Sequence, residues 1–160
     1  MNELILEKLK QRFPESVESS NEFRGDLTVQ IKKNHIVKVG EFLKNDPDLQ
    51  FDMVIDLLGV DMYRPEGRFE VVYNLYSIKN KKFLRLKVLV EEEECIVPSV
   101  VSVWSGANWH ERETFDMFGI KFAGHPDLRR MYMPEEYQYH PLRKDFPLMG
   151  IPDSLPLPRK

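Results

Sequence analysis

The residues best suited to chemistry lie between Cys95 and Phe146. His110-Glu111 opens like the zinc-protease motif, in which two histidines four residues apart on one helix face hold the metal and a glutamate between them acts as base. The second histidine would be residue 114, which is Thr114, so the motif fails. His125 and His140 each precede a proline. With His110 they match the ligand count of a three-histidine zinc site, but their spacing does not set up a shared one. Histidines in such a segment more often hydrogen-bond to backbone or carboxylates.

Glu113 and Asp116 stand three residues apart and could serve as paired carboxylates for acid–base work. A plainer reading is a solvated helix face with an Arg112–Asp116 pair worth about 0.2–0.5 kcal/mol. A third reading is docking. The acidic face formed by Glu111, Glu113 and Asp116 can bind the basic positions Arg129, Arg130, Arg143 and Lys144, and arginine's planar fork suits such carboxylate contacts. Cys95 is the lone cysteine. One thiol makes no internal disulfide and cannot supply the ligands of a cluster or a structural zinc. Glu91 to Glu94 precede it, and negative neighbours oppose the reactive thiolate. The sequence contains no Gly-rich phosphate loop, nucleophile elbow or dinucleotide fingerprint.

The elements that must position these residues read as follows. Ile5, Leu6, Leu9 and Phe13 form a helical stripe ended by Pro14. Leu27, Val29 and Ile31 alternate as a strand. Ile36, Val39, Gly40 and Leu43 recur at helical spacing, with Asn34 as N-cap. Met53 to Val60 suits a buried central strand. After the turn at Arg64-Pro65-Glu66-Gly67, Phe69, Val71, Tyr73 and Leu75 line one face of a strand. Leu84, Leu86, Val88 and Val90 line the next, giving a half-buried antiparallel hairpin. The spacing predicts a helix over 99–118, with Trp104, Phe115 and Phe118 toward the sheet and Gly119 as its stop. The expected fold is α+β, a small antiparallel or mixed sheet with helices packed on one face.

From Ile120 onward the character changes. Seven of the eleven prolines fall in residues 121–160, which marks an irregular segment. It still holds Phe122, Leu128, Met131, Tyr132, Tyr137, Tyr139, Leu142, Phe146 and Leu148, too apolar for an ordinary disordered tail. The expected division is a globular domain over 1–120 and an extended partner-binding arm over 121–160. Fully extended, forty residues reach at most roughly 130 Å, enough to wrap a neighbour. Much of the arm is expected to order on docking. Pro152 to Lys160 is expected to be loose.

Bulk properties exclude other classes. A chain of 160 residues fits one domain. The net charge of −3 gives no pull toward nucleic acid. The arm's seven basic residues against five acidic ones are too balanced for an electrostatic groove. No apolar run approaches the ~20 residues of a membrane span. The acidic start, Met1-Asn2-Glu3-Leu4, lacks the basic opening of a signal peptide.

Three motifs point further. Glu111-Arg112-Glu113-Thr114-Phe115-Asp116-Met117-Phe118-Gly119-Ile120, Gly124-His125-Pro126-Asp127-Leu128-Arg129-Arg130 and His140-Pro141-Leu142-Arg143-Lys144-Asp145-Phe146-Pro147-Leu148 resemble the C-subunit family of NADH-quinone oxidoreductase (respiratory complex I, NDH-1), in its stand-alone, non-fused form. Weaker resemblance extends through Asn108-Trp109, Val97-Pro98-Ser99-Val100, Asp56 to Asp61 and Arg68 to Tyr73. Ser105-Gly106 departs from a common Pro-Ala, and Tyr139 from a common glycine. The resemblance implies a structural subunit of the complex's peripheral arm, docked on the D-type quinone-site subunit beside the B and I type iron–sulfur subunits. It implies no cofactor in this chain, FMN and clusters residing on other subunits. The whole complex carries electrons from NADH to quinone, coupled to proton translocation, with this chain on the cytoplasmic side of the inner membrane. It further implies interface roles for Glu111, Arg112, Glu113, Asp116, His125, Asp127, Arg129, Arg130, His140, Arg143, Lys144, Asp145 and Phe146. Two alternatives stay open: the equivalent subunit of a ferredoxin-dependent or hydrogenase-type complex, and a free-standing enzyme using Glu113, Asp116 and His125.

Overall fold

The structure, a computed structural model, describes residues 1–152 and 154. The rest of the Pro152–Lys160 stretch lies outside the described residues, as do the last positions of the arm.

Apolar alternation builds the sheet. Strands β1 (Val17–Phe23), β2 (Asp26–Ile31), β3 (Met53–Asp61), β4 (Phe69–Ser77) and β5 (Lys82–Val90) lie in the order β1-β2-β5-β4-β3. The β2–β5 pair is parallel and the others are antiparallel. Register sets Leu57, Tyr73, Leu86 and Val29 in one row of the inner face. On that face helices α1 (Asn2–Arg12), α2 (Ile36–Asn45) and α3 (Ala107–Phe118) complete a core that includes Ile5, Leu9, Ile36, Leu43 and Tyr73. A small parallel pair, β6 (Ile96–Pro98) with β7 (Lys121–Ala123), brackets α3. The expected α+β architecture, a mixed sheet with helices on one face, is what the chain forms.

Several local expectations need correction. The spacing gives no sign of β1, because Val17-Glu18-Ser19-Ser20-Asn21-Glu22-Phe23 is an exposed edge strand with no buried face to impose alternation. It is joined to β2 by a two-residue turn, Arg24-Gly25, with both φ angles positive, the geometry a tight hairpin demands. β3 is an edge strand and not the central one; β5 is central, since the parallel β2–β5 pairing inserts it. β3 reads as buried because α3 covers its inner face. Gly59 allows that approach: a Cβ there would lie 2.8 Å from the Phe118 ring and 2.9 Å from the Thr114 methyl. Asn34 does not cap α2, since a 3-10 turn at Lys33–His35 precedes the helix and His35 stands at the cap position.

The predicted 99–118 helix begins only at Ala107. Residues 100–104 make a single helical turn, with the Trp104 N–H donating to Val100 O at 2.9 Å, and the chain then bends through Ser105-Gly106. That turn mimics helical spacing and keeps Trp104 in the core, where its Nε1–H donates to Phe51 O at 2.9 Å. At the other end Gly119 stops α3 as predicted, in the left-handed conformation at φ 78°. The body runs past Ile120, because β7 pairs with β6 and Phe122 is buried.

Candidate functional site

The arm's charged motifs converge on the C-terminal end of α3 and the adjoining β3–β4 corner, where two buried hubs hold them. The first hub is Asp116, which is 0% exposed. Its Oδ2 accepts the backbone N–H groups of Met131, Tyr132 and Met133 at 2.9, 2.7 and 3.1 Å. Its Oδ1 accepts Arg130 at 2.7 Å. The Asp116 carbonyl takes a second Arg130 hydrogen bond at 3.3 Å and lies 3.0 Å from His140 Nδ1. A carbonyl can only accept, so that ring nitrogen carries its proton. Burial pushes the Asp116 carboxyl up, but the three N–H donors and Arg130 outweigh it and hold it below the usual range.

The second hub is Arg68, at the start of β4. Its Nε and NH2 fork onto Asp61 at 3.2 and 3.0 Å, and NH1 meets Glu92 at 2.5 Å. NH2 also reaches Asp145 of the arm at 3.0 Å. Asp61 in turn accepts the Lys144 N–H at 2.8 Å and the Tyr63 N–H at 2.9 Å. Desolvation raises the Asp61 carboxyl, but the Arg68, Lys144 and Tyr63 donors lower it further and win. Donation to Asp61 foremost, then to Glu92 and Asp145, keeps Arg68 firmly charged against the cost of its burial. Between the hubs, Arg143 donates from Nε to Phe118 O at 2.6 Å, and both Arg68 and Arg143 lie 5.0 Å over the Phe69 ring.

Both hub carboxylates have depressed folded pKa values. Their contribution to stability is present above the ordinary Asp value, about 3.9, and is lost as pH falls through the lower folded values. Acidification well below the ordinary Asp value is therefore expected to detach the arm before the body unfolds. Amide exchange at Met131–Met133 against that of β4 checks this.

The other motif residues take varied places. Arg112 donates to Arg129 O at 3.0 Å and Arg130 O at 3.3 Å and stacks on Trp109, so the Arg112–Asp116 pair does not form. Of the four basic positions expected on the helix carboxylates, only Arg130 is there. Arg129 instead forks onto its neighbour Asp127 at 2.8 and 2.7 Å, Arg143 takes the Phe118 carbonyl, and Lys144 contributes its backbone N–H. His125 Nδ1 accepts the Asp127 N–H at 3.0 Å, and its Nε2 lies 3.2 Å from Asn108 O. Glu111 is buried and holds Ser99 and Val100 instead of the arm. Glu113 is exposed, on the outer side of α3, while Asp116 is buried, so the paired-carboxylate arrangement is not built. Phe146 is half-buried. The carboxylates of Glu111 and Asp116 are enclosed by this chain's own donors.

His110 faces Asp56 at 3.5 Å, His125 lies toward Asn108, and His140 lies on the Asp116 carbonyl. Among the described residues no group of three or more His, Cys, Asp and Glu is placed to hold a metal ion. Cys95 is half-buried, and burial pushes its thiol up. Among the described residues no helix is long and apolar enough to cross a membrane. Sequence reasoning missed Asp61, Arg68 and Glu92 as site residues. The available signal was an acid and a base bracketing the predicted turn at Arg64–Gly67.

Gly119 ties α3 to the arm. A Cβ there would sit 2.5 Å from His140 Nε2 and 2.7 Å from Arg143 NH2, and φ is already left-handed. Gly119→Ala is expected to destabilise the chain by about 2 kcal/mol or more, from backbone strain and displacement of both side chains. Urea unfolding of the two proteins measures it.

Fold and site together define a small α+β domain in which buried charge straps the chain's own C-terminal segment across the end of a helix. Residues 29–152 match the family model described as respiratory-chain NADH dehydrogenase, 30 Kd subunit. The NADH-quinone oxidoreductase C subunit of Roseiflexus sp. (strain RS-1) is 52% identical over 147 residues, covering 92% of this chain and 84% of that one. The corresponding C subunit of Geotalea uraniireducens (strain Rf4) is 47% identical over 149 residues, covering 93% and 89%. Among solved structures, the trypsin-resistant fragment (1–134) of Nqo5 superposes with TM-score 0.65 at 32% identity, covering 80% of this chain and 100% of the fragment. A chain of an archaeal membrane-bound sulfane sulfur reductase shares the fold, with TM-score 0.77 at 21% identity, covering 92% of this chain and 86% of that one. The chain belongs to the C-subunit family of NADH-quinone oxidoreductase, the respiratory-chain 30 Kd subunits.

Proposed function

We propose that this chain is a structural subunit of the peripheral arm of a proton-translocating NADH-quinone oxidoreductase, without a cofactor or turnover of its own. It docks on the D-type quinone-site subunit, beside the B and I type iron–sulfur subunits, on the cytoplasmic side of the membrane. FMN and iron–sulfur clusters on other chains carry the electrons. The observation that supports this reading is the division of labour in residues 121–152. The buried charges face inward and hold the arm, which leaves Tyr132, Tyr139, Leu142, Leu148 and Met149 exposed on its outer side.

Exposed apolar side chains on an anchored strap are suited to burial against another protein. The interface is then formed by these residues with Arg112, Glu113, Asp127, Arg129, Lys144 and Phe146. Arg130, His140, Arg143 and Asp145 shape it from beneath. Copurification tests this. The tagged chain is expected to retain the D-type subunit from detergent-solubilised membranes. A Tyr132→Ala/Leu142→Ala variant is expected to lose it while keeping the wild-type unfolding midpoint. Retention by the variant, or NADH–quinone turnover by the purified chain alone, would overturn the proposal.

A further inference from the structure

The interior of α3 holds a carboxyl group that the docking role does not use. Glu111 is 0% exposed. Its Oε2 accepts the Ser99 hydroxyl at 2.6 Å, and its Oε1 accepts the Val100 N–H at 2.7 Å. Among the described residues no lysine or arginine pairs with it. The basic group beside it is the His125 ring, with Nε2 4.0 Å from Oε2. His125 accepts the Asp127 N–H at Nδ1, and its Nε2 lies 3.2 Å from Asn108 O. A second proton on that ring would break the Asp127 bond.

Among the described residues the other elements around Glu111 bring no counter-charge. On β4 the Tyr73 hydroxyl is buried without a hydrogen-bond partner, near enough to feel the charge of Glu111. His110, on the same helix, is turned to Asp56 of β3, and Asp127 is tied to Arg129. An unpaired carboxylate in this setting favours taking up a proton. Ser99 makes both states tenable, because a hydroxyl can donate to a carboxylate and accept from a carboxylic acid. Its oxygen already accepts the Val101 N–H at 3.3 Å.

We propose that Glu111 is a buried proton-binding site, exchanging one proton with solvent in the folded chain. The proton adds to Oε2 and no other bond is made or broken except hydrogen bonds. The Ser99 hydroxyl donates to the carboxylate and turns to accept from the acid, while Val100 N–H stays on Oε1. Burial drives the group from 4.5 up to about 7 against these two donors, which sets exchange near neutral pH. The folded value lies above the unfolded one, so the stabilisation is complete below about 4.5 and is lost as pH rises through about 7.

The test uses the full-length chain with 13C at the glutamate carboxyl carbon, followed by NMR across pH. One resonance is expected to titrate near 7, to be absent in Glu111→Gln, and to move to higher pH in Ser99→Ala, which removes a donor to the carboxylate. The urea midpoint of the wild type is expected to fall relative to that of Glu111→Gln between about pH 5 and about pH 8. Titration of every glutamate near the ordinary value of about 4.3 would overturn the proposal. So would a near-neutral resonance that persists in Glu111→Gln. Should Glu111→Gln not fold, the wild-type and Ser99→Ala titrations decide alone: a near-neutral midpoint unmoved by Ser99→Ala also overturns it.

Discussion

Asp116→Ala is expected to release the arm and to destabilise the chain by roughly 3–5 kcal/mol. The loss follows from what the carboxylate holds. Three backbone N–H groups and the guanidinium of Arg130, whose side chain is 9% exposed, all converge on it. Alanine leaves that cation with two carbonyl oxygens and the three amides with nothing, and buried donors without partners are costly. A domain of this kind has only about 5–15 kcal/mol in total, so the loss is large. Asp116→Asn is expected to recover little. The two-faced amide places its NH2 against either Arg130 or the Met131–Met133 amides. Urea unfolding reads the energy, and tryptic cleavage after Arg129 or Arg130 reads the release. Wild-type resistance to trypsin in Asp116→Ala would show that the arm is held by something else.

Arg68→Ala carries the second large effect. One guanidinium serves Asp61, Glu92 and Asp145, and its removal leaves Asp61, 3% exposed, as a buried charge with only two backbone donors. A loss of roughly 3–5 kcal/mol is expected. Replacing the pair together, as Asp61→Leu with Arg68→Met, is expected to be milder, since apolar isosteres remove both desolvation penalties. The double variant still lacks the acceptor for Lys144 N–H. Stability should thus return in part while exchange at Lys144 stays fast. Equal loss in the single and double variants would mean that the ion pair itself, and not the unpaired charge, sets the effect.

The contrast between these hubs shows what the sequence discloses. Alternation in Leu84–Val90 was legible because one face of that strand is buried and the other is not, whereas Phe69–Tyr73 is buried throughout and alternates only in residue type. Val17–Phe23 has no buried face, so β1 left no pattern. The turn at Val100–Trp104 obeys helical spacing without belonging to α3, so periodicity could not separate them. Family motifs pointed to charged residues between Glu111 and Asp145, and of these Asp116, Arg130, Arg143 and Asp145 take part in the two hubs and the link between them. Their partners stayed hidden because so many are main-chain groups: the Met131–Met133 amides, the Asp116 and Phe118 carbonyls, the Lys144 amide. Backbone acceptors and donors carry no residue signature. Apolar content argued only that residues 121–148 are no ordinary disordered tail, and they lie along a surface. That the surface is the chain's own depends on Asp116 and Arg68 being buried, a property of packing and not of residue type.

Hydrogen exchange of the isolated full-length chain, read at the amides of Met131, Tyr132, Met133 and Lys144, tests most directly whether the arm is strapped to its own body through Asp116 and Asp61. Strong protection at all four amides is expected at neutral pH, lost at the first three in Asp116→Ala and at Lys144 in Asp61→Ala. Exchange of all four at the rate of an unstructured peptide, with β4 and β5 protected, would contradict it. The arm would then be a free strap that orders only on its partner.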